Sequence, residues 1–173
     1  MNKASKHTKD MISLAIYALM HRMPYEEITV KQICQKADVS RMSFYRYYNQ
    51  KDDVFVDYCD ERFEEFYNYY SQRLDMSKQD FVIALFSFFK KYSRQLLTLK
   101  KAGKADLLMD QLNNYARYTI MNFKSEYTEN KKNNPLVAPF LAGGVFNVLM
   151  NWLDSGMKES PEEMCKLLFD IFK

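Results

Sequence analysis

The chain has 173 residues, 47% of them hydrophobic, with only four Gly and four Pro; it can bury a real core in one domain or two small ones, and it is too poor in turn formers to be mostly β. The run Phe140–Val148 is apolar but shorter than a membrane span, and the polar start Met-Asn-Lys-Ala-Ser-Lys-His leads into a helical pattern without a secretory segment, so no membrane is expected and the protein is expected in the cytoplasm. Net charge is only +3, yet residues 1–51 hold nine Lys/Arg against four Asp/Glu while the rest holds sixteen against eighteen, which suits one end to a polyanion.

The apolar stripe Ile12, Ala15, Ile16, Leu19 predicts a first helix over about Ser5–His21, broken at Pro24. A second helix begins after Thr29. Thr29 and Gln32 have capping-box spacing, and Ile28 and Ile33 that of a hydrophobic staple; Val30, Ile33, Cys34 and Ala37 form its buried stripe. After Asp38-Val39, Ser40 is an N-cap for a third helix, about Arg41–Tyr48, with Val39 and Phe44 again at staple spacing. Two capped helices about three residues apart make the helix-turn-helix pattern.

On the third helix Phe44 and Tyr48 share the inner face. Met42 and Arg46 point most directly outward, with Ser43 and Tyr45 on the flanks. So short a helix is unstable alone; its inner face must hold it and leave the outer face free to bind. Lys51 opens the predicted fourth helix, about Lys51–Leu74, where its charge opposes the macrodipole. A phosphate at that helix N-terminus would resolve the conflict, and so would Asp52 and Asp53.

Further helices are predicted over about Lys78–Ser93, Gln95–Lys101 and Lys104–Tyr127, with Gly103 between the last two. Of the 27 aromatic residues, 16 lie between Phe55 and Tyr127. They read either as an aromatic-rich core or as a pocket for a small apolar or aromatic effector lined by Tyr58, Phe66, Phe86, Phe89, Tyr115 and Tyr118. Lys124–Asn134 reads as a polar loop. An eighth helix, about Pro135–Ser155, carries Val137, Leu141, Gly144, Val148 and Trp152 on one face. Its Gly143-Gly144 pair costs about 1 kcal/mol per residue relative to Ala, which close approach of another helix would offset. Gly156 stops it, and Ser160-Pro161-Glu162-Glu163 starts a ninth helix with Met164, Leu167, Leu168 and Ile171 as its stripe. The last two helices read as an antiparallel pair that, with its copy, would form a four-helix dimer interface through Leu141, Gly144, Val148, Trp152, Leu167, Leu168 and Ile171.

Cys34, Cys59 and Cys165 fit no metal or disulfide spacing and read as small buried apolar residues; no metal or cofactor is expected. His7 and His21 have no nucleophile or carboxylate partner by motif, and no HExxH, P-loop or Rossmann glycine pattern is present, so an enzyme is not expected.

Thr29-Val30, Ile33, Ala37-Asp38-Val39-Ser40, Ser43-Phe44-Tyr45, Tyr47-Tyr48 and Lys51-Asp52-Asp53-Val54, in this order and spacing, resemble the tetracycline-repressor (TetR) family of bacterial regulators over about residues 5–65. Asp38 stands where the family often has Gly, and Met42 where a small residue is common. The C-terminal pattern Phe140-Leu-Ala-Gly-Gly, Trp152-Leu, Gly156 and Glu159-Ser-Pro-Glu-Glu163 resembles a subgroup that includes regulators similar to the dihydroxyacetone-kinase operon activator. The resemblance implies an all-α fold of about nine helices. A helix-turn-helix DNA-binding domain (1–50) would precede a helical ligand-binding and dimerisation domain (51–173). It implies a homodimer on a near-palindromic operator of double-stranded DNA, a repressor in the family's usual mode. By position, Thr29, Tyr45, Tyr47 and Lys51 would contact phosphates, Lys31 would lie on the same DNA-binding side, and Arg41, Met42, Ser43 and Arg46 would face base edges. An effector among the fourth to seventh helices would then act through the fourth. Two rivals remain at this level: an activator, and a related chain acting mainly through protein contacts.

Overall fold

A computed structural model of the chain describes residues 3–71, 77–122 and 134–171. Among the described residues there are nine α-helices and no strand: α1 (Lys3–Met20), α2 (Val30–Ala37), α3 (Arg41–Tyr45), α4 (Asp53–Ser71), α5 (Lys78–Lys91), α6 (Ser93–Lys101), α7 (Ala105–Asn122), α8 (Val137–Asp154) and α9 (Pro161–Asp170), with a 3-10 turn at Tyr25–Glu27. The fold is all-α, as the helical periodicity demands. None of the described helices is long and apolar enough to cross a membrane. The ends expected for the fourth and seventh helices, and most of the loop 124–134, lie outside the described residues.

Two compact units divide the chain, Met1–Arg62 with Thr98–Leu107, and Phe63–Leu97 with Leu108–Lys173. Helices α4, α6 and α7 each run from one unit into the other.

In the first unit α1 packs on α2, and α2 on α3. Ile12 and Ile16 of α1, Ile33 and Ala37 of α2, Phe44 of α3, and Val54 and Phe55 of α4 are all buried. The stripe read from the sequence is thus the core of a three-helix head closed by the start of α4. Tyr17 packs edge-on against Phe55 and Tyr58, with ring centroids 5.5 and 5.4 Å away.

Two helix ends differ from the sequence reading. α3 stops at Tyr45 rather than Tyr48, because Tyr47 N–H bonds the carbonyl of Phe44, three residues back, and Tyr48 N–H shares it. The next two backbone N–H groups, of Asn49 and Gln50, are taken by the Asp53 carboxylate at 2.8 and 3.2 Å. α4 therefore begins at Asp53, and Lys51 sits in the turn before it rather than in its first turn.

The second unit is held by an aromatic chain. Phe63 stacks face to face on Tyr115 at 4.0 Å. Phe66 contacts Phe88, Phe88 contacts Phe89, Phe89 contacts Phe86, and Phe86 meets Trp152 at 5.4 Å. α9 packs on α5. Ser77–Asp80 and Ser160–Glu163 form capping boxes at the starts of α5 and α9. Met157 N–H reaches Trp152 O at 2.8 Å and Gly156 N–H reaches Leu153 O at 3.2 Å, the paired bonds of a Schellman end, with Gly156 at φ +81°. At Gly144, a Cβ would meet nothing within 4 Å, and at Gly143 it would make ordinary contact with Met109. The cost of two helical glycines is therefore not offset by a close neighbour among the described residues.

Candidate nucleic-acid interface

The frame of the site is made by local hydrogen bonds. Thr29 Oγ1 accepts from Gln32 N–H at 3.3 Å, and Gln32 Oε1 accepts from Thr29 N–H at 2.8 Å, which completes the expected capping box. Asp38 ends α2 in the left-handed region (φ 53°, ψ 47°) with its N–H on the Cys34 carbonyl. Asp tolerates that region better than most residues, so the turn survives without Gly. Ser40 Oγ then accepts Ser43 N–H at 3.0 Å to start α3.

From this frame the inner and outer faces of α3 separate cleanly. Phe44 and Tyr48 are buried. Tyr48 Oη donates to Asp57 Oδ2 at 2.7 Å, and Lys9 Nζ donates to the other oxygen of the same carboxylate at 2.6 Å. Met42, at 80% exposure, and Tyr45, at 57%, stand on the other side. Arg41 and Arg46 are exposed there too, while Ser43 and Tyr47 are half-buried. The Ser43 hydroxyl lies 2.9 Å from Ser40 Oγ, so it is engaged by the cap. On α2, Thr29 and Lys31 are exposed. A shallow depression of about 490 Å³ runs between α2 and α3, lined by Lys31 and Arg41 with Cys34, Gln35, Asp38, Val39 and Ser40.

Cations in the first unit fall into two groups. Lys6, Lys9 and Lys104 pair with Glu61, Asp57 and Asp52 at 2.8, 2.6 and 3.2 Å. Lys31, Arg41 and Arg46 are exposed and make no ion pair among the described residues. Arg22, Lys36 and Lys101 are likewise exposed without an ion pair among the described residues, but Lys31, Arg41 and Arg46 share the outer side of α2 and α3, where a polyanion would lie.

Lys51 belongs to the first group in effect. Its ammonium donates to the carbonyls of Tyr25 and Ile28 at 2.6 and 2.9 Å and lies 4.1 Å from the Tyr25 ring centroid. Desolvation lowers its pKa. Tyr25 in turn hydrogen-bonds Asp52, whose second oxygen takes Lys104. Nothing in the sequence pattern pointed to Tyr25, Asp52 or Lys104 as the support of this corner, since their partners come from distant parts of the chain.

The residues considered for an effector pocket fall in both units. Tyr58 belongs to the first unit, against Tyr17. Phe66, Phe86 and Phe89 are buried in the second, where they join the aromatic chain, and Tyr115 and Tyr118 flank Phe63. Among the expected interface residues, Trp152 is 2% exposed within the single chain and packs on Phe86, so its ring is not available to a partner: this is a correction, and the reason is that Phe86 fills the inner side of α8. Its Nε1–H is buried without an acceptor among the described residues. Leu141, Val148 and Leu168 are half-buried; Gly144, Leu167 and Ile171 are exposed. No group of His, Cys, Asp and Glu among the described residues could hold a metal ion. Cys34 and Cys165 are buried and Cys59 half-buried, all as free thiols.

A capped helix pair on a three-helix head, with bare cations and aromatics on the outer face of its second helix, defines a helix-turn-helix protein. Residues 13–58 match the family of bacterial regulatory proteins, tetR family, and residues 77–173 match the transcriptional regulator C-terminal region. The chain belongs to the tetR family of DNA-binding transcription regulators. Three solved structures share the fold. Lin0861 from Listeria innocua is 13% identical with a TM-score of 0.84, over 99% of this chain and 92% of that one. A TetR transcriptional regulator from Streptococcus agalactiae is 19% identical with a TM-score of 0.65, over 98% and 95%. The dihydroxyacetone kinase operon activator DhaS is 18% identical with a TM-score of 0.58, over 95% and 93%. No curated protein matches the sequence.

Proposed function

We propose that this regulator binds a near-palindromic operator as a homodimer in the cytoplasm and represses transcription from it, with an effector bound in the helical body modulating release. The observation that carries the reading is the outer face of α2 and α3, where Arg41, Met42, Tyr45 and Arg46 stand exposed beside Thr29 and Lys31 on a frame closed from behind by Phe44 and Tyr48. Thr29, Lys31, Tyr45 and Tyr47 take phosphates and set register. Arg46 reads guanine O6 and N7 in a bidentate pair. Lys51, held by the Tyr25 and Ile28 carbonyls, supports this surface from behind and reaches phosphate only by releasing them.

Two exposed apolar sets support dimerisation: Phe140 and Gly144 on α8 with Leu136 just before it, and Leu167 on α9 with Ile171 just after it. The Trp152 Nε1–H, buried without an acceptor among the described residues, favours an effector that carries a hydrogen-bond acceptor, because a buried donor without a partner costs about 1–3 kcal/mol. α4, continuous from Asp53 to Ser71 through both units, is the element that would carry the effector's influence to the DNA-binding head. One structural relative is named as an operon activator, so the sign of regulation is read separately, with a reporter gene behind the operator.

Electrophoretic mobility shift with DNA from upstream of the chain's own gene tests the core of the proposal. A shift at low salt that weakens steeply with salt is expected. Tyr45→Ala should weaken binding to all sequences, and Arg46→Ala should relax preference at one position by about 1–3 kcal/mol. Equal affinity for all three proteins would reject the contact assignment. No shift at low salt would favour a role through protein contacts alone.

A further inference from the structure

The geometry points to Met42 as the residue that selects a thymine in each half-site, by packing its side chain on the thymine C5-methyl group. This rests on the operator-binding reading above and goes beyond it, since it names which base-edge chemistry the central recognition position takes.

Met42 is the most exposed large apolar residue among the described ones, at 80%. A single exposed methionine needs no explanation in general. This one stands on the outward side of α3, beside Arg41, with Arg46 one turn on and its backbone N–H on the Met42 carbonyl at 3.1 Å. The side chain is therefore flanked by two exposed guanidinium groups, which would draw the face against a phosphate-lined groove.

The neighbouring candidates are otherwise engaged or differently placed. The Ser43 hydroxyl lies 2.9 Å from Ser40 Oγ and its residue is half-buried. Arg41 lines the depression toward Lys31, a place suited to a backbone phosphate. Tyr45 leans on Phe44 at 5.5 Å. Met42 is the most exposed of the apolar residues on this face, at 80% against 57% for Tyr45.

Its chemistry then narrows the partner. A thioether donates no hydrogen bond and accepts only weakly, so Met42 offers nothing to the guanine acceptors and only a poor acceptor to the amino groups of adenine and cytosine. In the major groove the apolar surface is the C5-methyl of thymine. An unbranched, polarisable side chain adapts its rotamers to that small target.

The test begins with a duplex selected by this protein from a random library. Each thymine of the half-site is then replaced singly by deoxyuridine, which removes the methyl and nothing else, and affinity is read by fluorescence anisotropy. At one position per half-site the loss expected is about fourfold, and about fifteenfold when both half-sites are changed, from the transfer of one methyl-sized group each. 5-Bromouracil at that position should restore binding, because bromine replaces the lost bulk. Met42→Ala should bind the thymine and uracil duplexes alike, and Met42→Leu should keep the discrimination; neither change touches the core.

Wild-type affinity that is the same for thymine and uracil at every position overturns the inference while leaving operator binding intact. So does discrimination that persists in Met42→Ala. A protein that selects no duplex at all overturns both this inference and the operator-binding reading.

Discussion

At the scale of single residues, the outer face of α3 could be read from the sequence because its orientation is set by helical period alone. Phe44 and Tyr48 had to be inside, which sent Met42, Tyr45 and Arg46 outward. Lys51 could not be read in the same way. Its partners, the carbonyls of Tyr25 and Ile28, lie 26 and 23 residues earlier in the chain, and no periodicity links them. The ammonium neutralises the carbonyl end of the 3-10 turn and lies over the Tyr25 ring, an arrangement that is part electrostatic and part cation–π. We expect Lys51→Met to lower stability by about 1 kcal/mol in urea unfolding, since it removes the ammonium from the Ile28 carbonyl and leaves the Tyr25 carbonyl only the Ile28 N–H. Operator affinity should fall alongside, but the slope of affinity against salt should stay near that of the wild type if Lys51 neutralises no phosphate. A slope reduced by about one would restore Lys51 to the phosphate-contacting set.

At the scale of elements, the helix starts were legible wherever the stabilising bonds are local. Thr29 with Gln32, and Ser160 with Glu163, needed only a three-residue spacing to be recognised. The end of α3 was not legible, because it depends on Asp53 reaching back to Asn49 and Gln50. The joints between elements of the head carry a further consequence. Tyr48 joins α3 to α4 through Asp57, and Tyr25 joins the 3-10 turn to Asp52. Burial, followed by the hydrogen bond to each carboxylate, raises both phenol pKa values well above the ordinary range. A group whose folded pKa is raised contributes stability that is complete below its unfolded value, about 10 for Tyr, and is lost as pH climbs beyond it. Thermal stability should thus fall away above about pH 10, and tyrosinate absorbance for these two residues should appear only with unfolding. Tyr48→Phe should flatten that fall while costing about 1 kcal/mol at neutral pH. Tyrosinate forming in the folded protein near pH 10 would show that the joints are open to solvent.

At the scale of the whole molecule, the all-α class and the helix count followed from composition and periodicity, while the allocation of faces in the C-terminal half did not. Trp152 shared a sequence stripe with Leu141 and Gly144, yet the ring turned inward onto Phe86. A stripe says which residues share a side, and says nothing of whether a neighbouring helix or a second chain covers it. Exposed residues there include Phe140 at 70% and Ile171 at 71%, with Gly144 exposed one turn after Phe140 along α8. A stable dimer needs about 800 Å² from each partner, and exposed aromatic and aliphatic side chains on α8 and α9 are the groups to supply its apolar centre. Replacing both Phe140 and Ile171 by Glu would place like charges on the symmetric face, where each meets its own copy or lies close to it. We expect sedimentation to show the 20.7 kDa monomer for this double variant and twice that mass for the wild type at micromolar concentration. Two linked heads gain about 10²–10⁴ in avidity over one, so operator affinity should drop at least about a hundredfold while binding to an isolated half-site stays unchanged. A wild type that sediments as a monomer and still binds the full operator tightly would remove α8 and α9 from the account, and with them the two-fold match between protein and operator.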